Sequence, residues 1–228
     1  MRLYLIVLAL AVVLGYLFGG RLTNLEQLHL RWWWLALAGL GIQFLPLPEG
    51  GGGSDLIART GVLALSYALL LTFGVLNVRL PGMPVILLGV ACNAAVIVSN
   101  GGMPVSEDAL RASGQADVIR YLVDEGAYKH HLMEDFDVLK FLADVIPVAG
   151  PIHQVISIGD VFIYAGLVWL VVWAMRVPSP SRSPRASRRN QGKHRRGSAA
   201  GAGAAARAIP SPPPPPRPPA ARTWGSEP

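Results

Sequence analysis

The chain has 228 residues, of which 52% are hydrophobic and only 15% charged, and its formal net charge is +6. A soluble domain carries roughly a quarter charged residues; here the deficit falls in long runs, which argues against an ordinary water-soluble globule and for a bilayer as solvent. The single cysteine, Cys92, excludes an internal disulfide and every paired-cysteine metal spacing, and its place inside an apolar run reads as a small buried hydrophobe.

Five apolar segments follow in chain order, at residues 3–18, 32–47, 60–78, 83–99 and 155–175. Each has about the 17 to 25 residues that a membrane-crossing helix needs, or falls just short. Period-2 alternation is absent, so a membrane barrel is not expected. The fold class is therefore an all-α membrane protein, a bundle of about five transmembrane helices over residues 1–175. The first segment has a basic second residue, Arg2, but no small-residue cleavage site follows it, so it reads as a permanent helix. Ala11, Gly15 and Gly19 fall four apart, a spacing that lets helix backbones approach. The sequence "GGGGS" at Gly50 to Ser54 lacks the lysine and preceding strand of a phosphate loop and reads as a flexible connection. Polar residues inside the apolar segments, Gln43, Ser66, Asn77 and Asn93, should prefer another helix to lipid. Helices one and four are expected to be tightly packed partners in the bundle.

Residues 100–154 form the one long loop, expected on the extracytoplasmic side with amphipathic helices in it. Asn100-Gly101-Gly102 signals a turn, and Ser106 reads as a helix N-cap with Glu107 and Asp108 in the first turn. Leu110, Val118, Ile119, Leu122 and Val123 suggest short helices broken near Gly114 and Gly126. Leu132, Phe136, Leu139, Ala143 and Ile146 recur at three- to four-residue spacing and suggest a further helix lying on the membrane surface. Pro147 and Gly150-Pro151 then turn the chain into the last segment.

Residues 176–228 change character. They hold 11 Lys and Arg against one acidic residue, Glu227, which leaves 9 basic and 13 acidic residues upstream. Rich in Pro, Ser, Ala and Gly without an apolar period, this tail is expected to be disordered, with polyproline II character near its proline run. Its charge sets the topology: C-terminus cytoplasmic, N-terminus extracytoplasmic, with Arg21, Arg31, Arg79 and Arg176 at the cytoplasmic ends. Apart from the lipid bilayer itself, anionic lipid head groups are the tail's candidate partner, and nucleic acid is disfavoured.

Four pieces in order, "NGGMPVS", "KHHLM", "LKFLADVIP" and "SIGDVFIYAGL", resemble a bacterial family of multi-pass membrane proteins, the domain-of-unknown-function family number 5317. The resemblance covers roughly residues 3–172. It departs at "MEDFDVLKFL", where a hydroxyl residue is expected near Asp137. It implies a five-helix membrane protein and no particular activity.

No nucleophile elbow, zinc-protease helix, phosphate loop or dinucleotide fingerprint occurs, and no cofactor is expected. The candidate polar cluster of the outer face is Asn100, His130, His131, Asp144, His153 and Asp160, residue types that ligate a metal or pass a proton. On a helix the adjacent His130 and His131 would point about 100° apart. Ser157 and Asp160 form S-x-x-D at the start of the last segment, a near capping box in which the acid also meets the helix dipole. An accessory, scaffold or sensing role is favoured. Transport of a small solute or ion and metal-dependent catalysis in the membrane stand as alternatives.

Overall fold

The structure, a computed structural model, describes residues 2–45, 53–124 and 129–177. Most of the glycine connection and the tail from residue 178 onward lie outside the described residues. Runs of Leu, Val, Ile and Ala without interior proline satisfy every backbone group locally, which is what an apolar solvent demands. They form α1 (Arg2–Leu17), α2 (Trp33–Ile42), α3 (Gly53–Leu76), α4 (Met83–Asn100) and, after the loop domain, α7 (Ile158–Arg176). Helix α3 starts at Gly53, so the last glycine and the serine of "GGGGS" belong to a helix, not to a flexible connection. Among the described residues three helical stretches are long and apolar enough to cross a membrane: Ile57–Leu76, Met83–Asn100 and Ile158–Arg176. The apolar stretches Leu3–Leu17 and Trp33–Ile42 are shorter.

The helices pack in the row α1, α7, α4, α3, α2. Helix α7 lies between α1 and α4, which therefore pack on it and not chiefly on each other as expected from the sequence. Gly15 and Gly20 admit the Met175 side chain against α1 and the turn after it, and Ala11 is fully buried there. The closest approach is between α4 and α7. A Cβ on Gly166 would lie 2.7 Å from the Gly82 carbonyl oxygen, and one on Gly159 2.7 Å from that of Gly89. The four polar residues singled out in the apolar segments, Gln43, Ser66, Asn77 and Asn93, are all hydrogen-bonded. Ser66 donates to the Gly39 carbonyl at 2.7 Å and accepts from Gln43 Nε2 at 3.0 Å, tying α3 to α2. Asn77 exchanges hydrogen bonds with the backbone of Arg31 at 2.8 and 2.9 Å. Cys92 is only half-buried, on the rim of α4.

Between α4 and α7 the chain builds a small α/β loop domain: β1 (Met103–Val105), α5 (Glu107–Ser113), α6 (Ala116–Asp124), β2 (His130–Leu132), β3 (Ile146–Val148) and β4 (Gln154–Ile156). Strands β1 and β2 are parallel, and β3 and β4 form an antiparallel hairpin. Ser106 caps α5 by accepting from the Ala109 N–H, and Gly114, at φ 80, ends it. The surface helix expected through Leu132, Phe136, Leu139, Ala143 and Ile146 does not form. The stretch that holds them is a strand, a loop, a short 3-10 turn (Lys140–Leu142) flanked by Leu139 and Ala143, and a second strand. Backbone pairing explains the difference. Asp144 donates its N–H to the Pro104 carbonyl at 3.1 Å and accepts from the Ser106 N–H at 2.9 Å, extending β1 on its free edge. Pro104 has no N–H to offer a ladder, but only its carbonyl is needed there. Leu139, at φ 56, turns the chain so that Leu139 and Leu142 both pack on the core of Leu63, Val96, Ile97, Met103 and Ala143.

Candidate functional site

The strand pairing decides where the candidate residues go. His130 and His131 are successive residues of β2, not of a helix, so their side chains leave opposite faces. His131 donates from Nε2 to Asp137 Oδ1 at 3.0 Å, while Asp137 Oδ2 accepts from the Glu134 N–H at 2.7 Å. This pair clasps the loop after β2. His130 faces the other way, with Nε2 3.7 Å from Asp144 Oδ2.

His130 and Asp144 open on a solvent-open cavity of about 620 Å³ lined from β1, α5, α6 and β4. Its walls are mostly apolar, with Val105, Leu110, Val118, Leu122 and Val155 prominent, and most of these side chains also form the loop domain's core. His153 lies on the same cavity. Its Nδ1–H donates to the Ser113 carbonyl at 2.7 Å, which fixes the tautomer and leaves Nε2 an acceptor in the neutral ring. Gln115 and Gln154 complete the polar lining.

Burial pushes the Asp144 carboxyl up to about 8, and the negative charge of Asp160 adds to the shift. Burial also lowers the His130 imidazole, to about 4, helped by the positive charge of Lys129. Desolvation acts more fully on the acid: 10% of the Asp144 side chain is accessible against 47% of the His130 side chain. Both shifts favour the neutral forms. Burial thus drives this pair toward an uncharged carboxyl and an uncharged imidazole.

The other candidate residues stand apart from the cavity. Asn100 at the end of α4 donates to the Val138 carbonyl at 3.0 Å and accepts from the Val138 N–H at 2.9 Å, a side-chain imitation of a strand bridge. Asp160 sits in the first turn of α7. Its N–H donates to Ser157 Oγ at 3.0 Å, and its Oδ2 accepts from the Ser157 N–H at 3.3 Å. Its Oδ1 accepts from Asn93 Nδ2 at 2.9 Å, and the Ser157 hydroxyl donates to Asn93 Oδ1 at 2.9 Å. The cap of α7 and the polar residue of α4 are thus one closed network. Asp160→Asn, which can still accept from Asn93, is expected to lose less than about 1 kcal/mol, while Asp160→Leu strands two donors and loses about 2 kcal/mol. Thermal unfolding in detergent checks this, and equal damage from both changes would contradict it.

Among the described residues no three His, Cys, Asp or Glu side chains converge as a metal site. His130 and Asp144 make a pair, and His153 is turned to backbone. Asp137 and Asn93 were not in the polar cluster expected from sequence. Asn93 carried a signal, an amide inside an apolar run; the Asp137 clasp depends on a strand that periodicity did not reveal.

Membrane-length helices in a row, joined on one side by an α/β loop domain with an apolar cavity, define a class of helical protein. The chain belongs to the family of unknown function DUF5317, which matches residues 27–172. It is also 32% identical over 130 residues to an uncharacterised protein of Thermotoga maritima, covering 55% of this chain and 72% of that one. No solved structure matches the chain.

Proposed function

We propose that the protein is an integral membrane protein whose loop domain binds a small, largely apolar molecule through the His130–Asp144 cavity, in an accessory or sensing role. In this reading α1 and α2 join the three longer helices in the bilayer. The N-terminus is extracytoplasmic, and Arg21, Arg31, Arg79 and Arg176 lie at the cytoplasmic ends. The exposed residues of these helices support it, because large apolar side chains such as Leu10, Leu37, Leu65, Leu88 and Trp169 face outward.

The observation that carries the binding role is the cavity. Its volume of about 620 Å³ falls in the range of small-molecule sites, about 300 to 1,000 Å³, and it combines apolar walls with a few polar groups that would orient a ligand. With Asp144 and His130 uncharged, the fit is to a molecule with an apolar body and one neutral hydrogen-bonding group. An anion would meet the desolvated carboxyl, and a fully charged cation would have to ionise it.

The test is a thermal-shift screen of detergent-purified protein against neutral aromatic and aliphatic alcohols and amides. At least one class should raise the unfolding temperature, and Val118→Trp, which fills the cavity from α6, should abolish the rise. If the compounds stabilise wild type and Val118→Trp equally, binding is to the micelle or the helices and the reading fails; no response from wild type counts against it too.

A further inference from the structure

The loop after β2 exposes and buries the wrong residues for water. Phe136 is 76% exposed and Phe141 65%, with Val138 also on the surface, yet the Asp137 side chain between them is 1% exposed. A loop in water does the reverse, keeping its carboxylate solvated and tucking its phenyl rings away. Here the carboxylate is turned inward and satisfied by His131 and the Glu134 N–H. Leu139 and Leu142 fill the core beneath, so the phenyl rings have been left outside a core that accepted their neighbours.

The position of the loop says what covers it. Asn100, the last residue of α4, fastens Val138 by two hydrogen bonds, so the exposed segment is held at the level where a membrane-length helix ends. Phe136 and Val138 line a groove of about 490 Å³ with Ile57 and Ala64 from the start of the α3 span and Val98 from the end of α4. The loop surface is therefore continuous with the outward apolar faces of two spans. Asp135 precedes Phe136 and Lys140 precedes Phe141; their charged groups approach to 4.0 Å and supply polar groups suited to a head-group layer.

We propose that residues 134–142 are an interfacial anchor, with Phe136, Val138 and Phe141 seated in the bilayer boundary beside the ends of α3 and α4. Aromatic side chains are favoured at that depth. The anchor would fix the loop domain against the membrane and hold its cavity at a set height above the lipid. This inference rests on the membrane placement proposed above.

Nitroxide probes at Phe136→Cys and Phe141→Cys, each in a Cys92→Ser background, test it in vesicles of phosphatidylethanolamine and phosphatidylglycerol. Both positions face outward, so the labelled proteins should fold, as helix content by circular dichroism verifies. Leu88→Cys, on the outward face of α4, reports on the span, and Arg111→Cys on the exposed side of α5 reports on water. The expected result is greater relaxation by oxygen than by a water-soluble nickel chelate at residues 88, 136 and 141, and the reverse at residue 111. If residue 88 reads as lipid while 136 and 141 read as water, the anchor is refuted and the membrane placement stands. If residue 88 itself reads as water, both fall.

Discussion

Gly159→Ala should destabilise the protein by about 3 kcal/mol, the upper part of the usual range for overpacking a dense contact. A methyl there would run into Asn93 Oδ1 and would stand 2.7 Å from the Gly89 carbonyl oxygen. Neither atom is the free end of a flexible chain. Asn93 is held by Ser157 and Asp160, and the Gly89 carbonyl is helix backbone, so relief requires α4 and α7 to separate. Separation would stretch the Asn93 hydrogen bonds as well, adding a polar penalty to a steric one. Gly61→Ala is the control, since a methyl at Gly61 meets nothing within 4 Å and alanine is the better helix former by up to about 1 kcal/mol. Thermal or denaturant unfolding in detergent should separate the two variants. Equal stability would mean that the α4–α7 backbones are not in contact.

Wild-type stability should fall between pH 6.5 and 8, by about 2 kcal/mol, and Asp144→Asn should remove that fall. In the folded protein Asp144 titrates at about 8 against 3.8 in the unfolded chain, because burial disfavours its anion. A raised acid contributes stability that is complete below the unfolded value and is lost as pH rises through the folded one, at about 1.4 kcal/mol per pH unit. His130 has the opposite sign: lowered from 6.5 to about 4, it costs stability as pH falls through that window. Between about pH 4 and 6.5 the unfolded chain carries its proton on His130 and the folded protein carries one on Asp144, so the two slopes largely cancel. Above 6.5 only the Asp144 slope remains. Cavity water reaching the half-exposed imidazole shrinks the His130 effect, so the cancellation is incomplete on the acid side. In Asp144→Asn the slope above 6.5 vanishes, and a shallow loss toward acid, due to His130, is uncovered. Unfolding midpoints across pH 4 to 9 check both arms. A wild type whose stability is level from 6.5 to 8 would show that Asp144 is ionised in the folded state.

The helices were legible because long apolar runs without interior breakers fix them locally. Helices α4 and α7 lie within a few residues of segments 83–99 and 155–175. The loop was legible only where local chemistry decides the backbone. Ser106 before two acids and Gly114 after Ser113 delimit α5 without help from elsewhere. The stretch from Leu132 to Ile146 misled because its spacing of three and four comes from two unrelated surfaces. Leu139 and Ala143 point into the bundle core and Phe136 points out, an arrangement that a helical period imitates. What decides that stretch is the edge of β1, some 30 residues earlier in the chain, and no local pattern carries it. The cavity was hidden for the same reason: His130 and Asp144 meet only because both flank β1.

The place of α7 between α1 and α4 has a consequence in time. Helix α1 buries Val7 and Ala11 against it, and α4 has its closest backbone contact with it, yet α7 is synthesised after every other described helix. Until residue 158 and its successors leave the ribosome, the small-residue faces of α1 and α4 have nothing to close upon, and Asn93 lacks both of its partners. The hairpin of β3 and β4 runs directly into α7, so the floor of the cavity is also finished late. Assembly of this bundle is therefore deferred until α7 has been made, and a nascent chain halted in the loop domain holds its first four helices without the surface that joins α1 to α4.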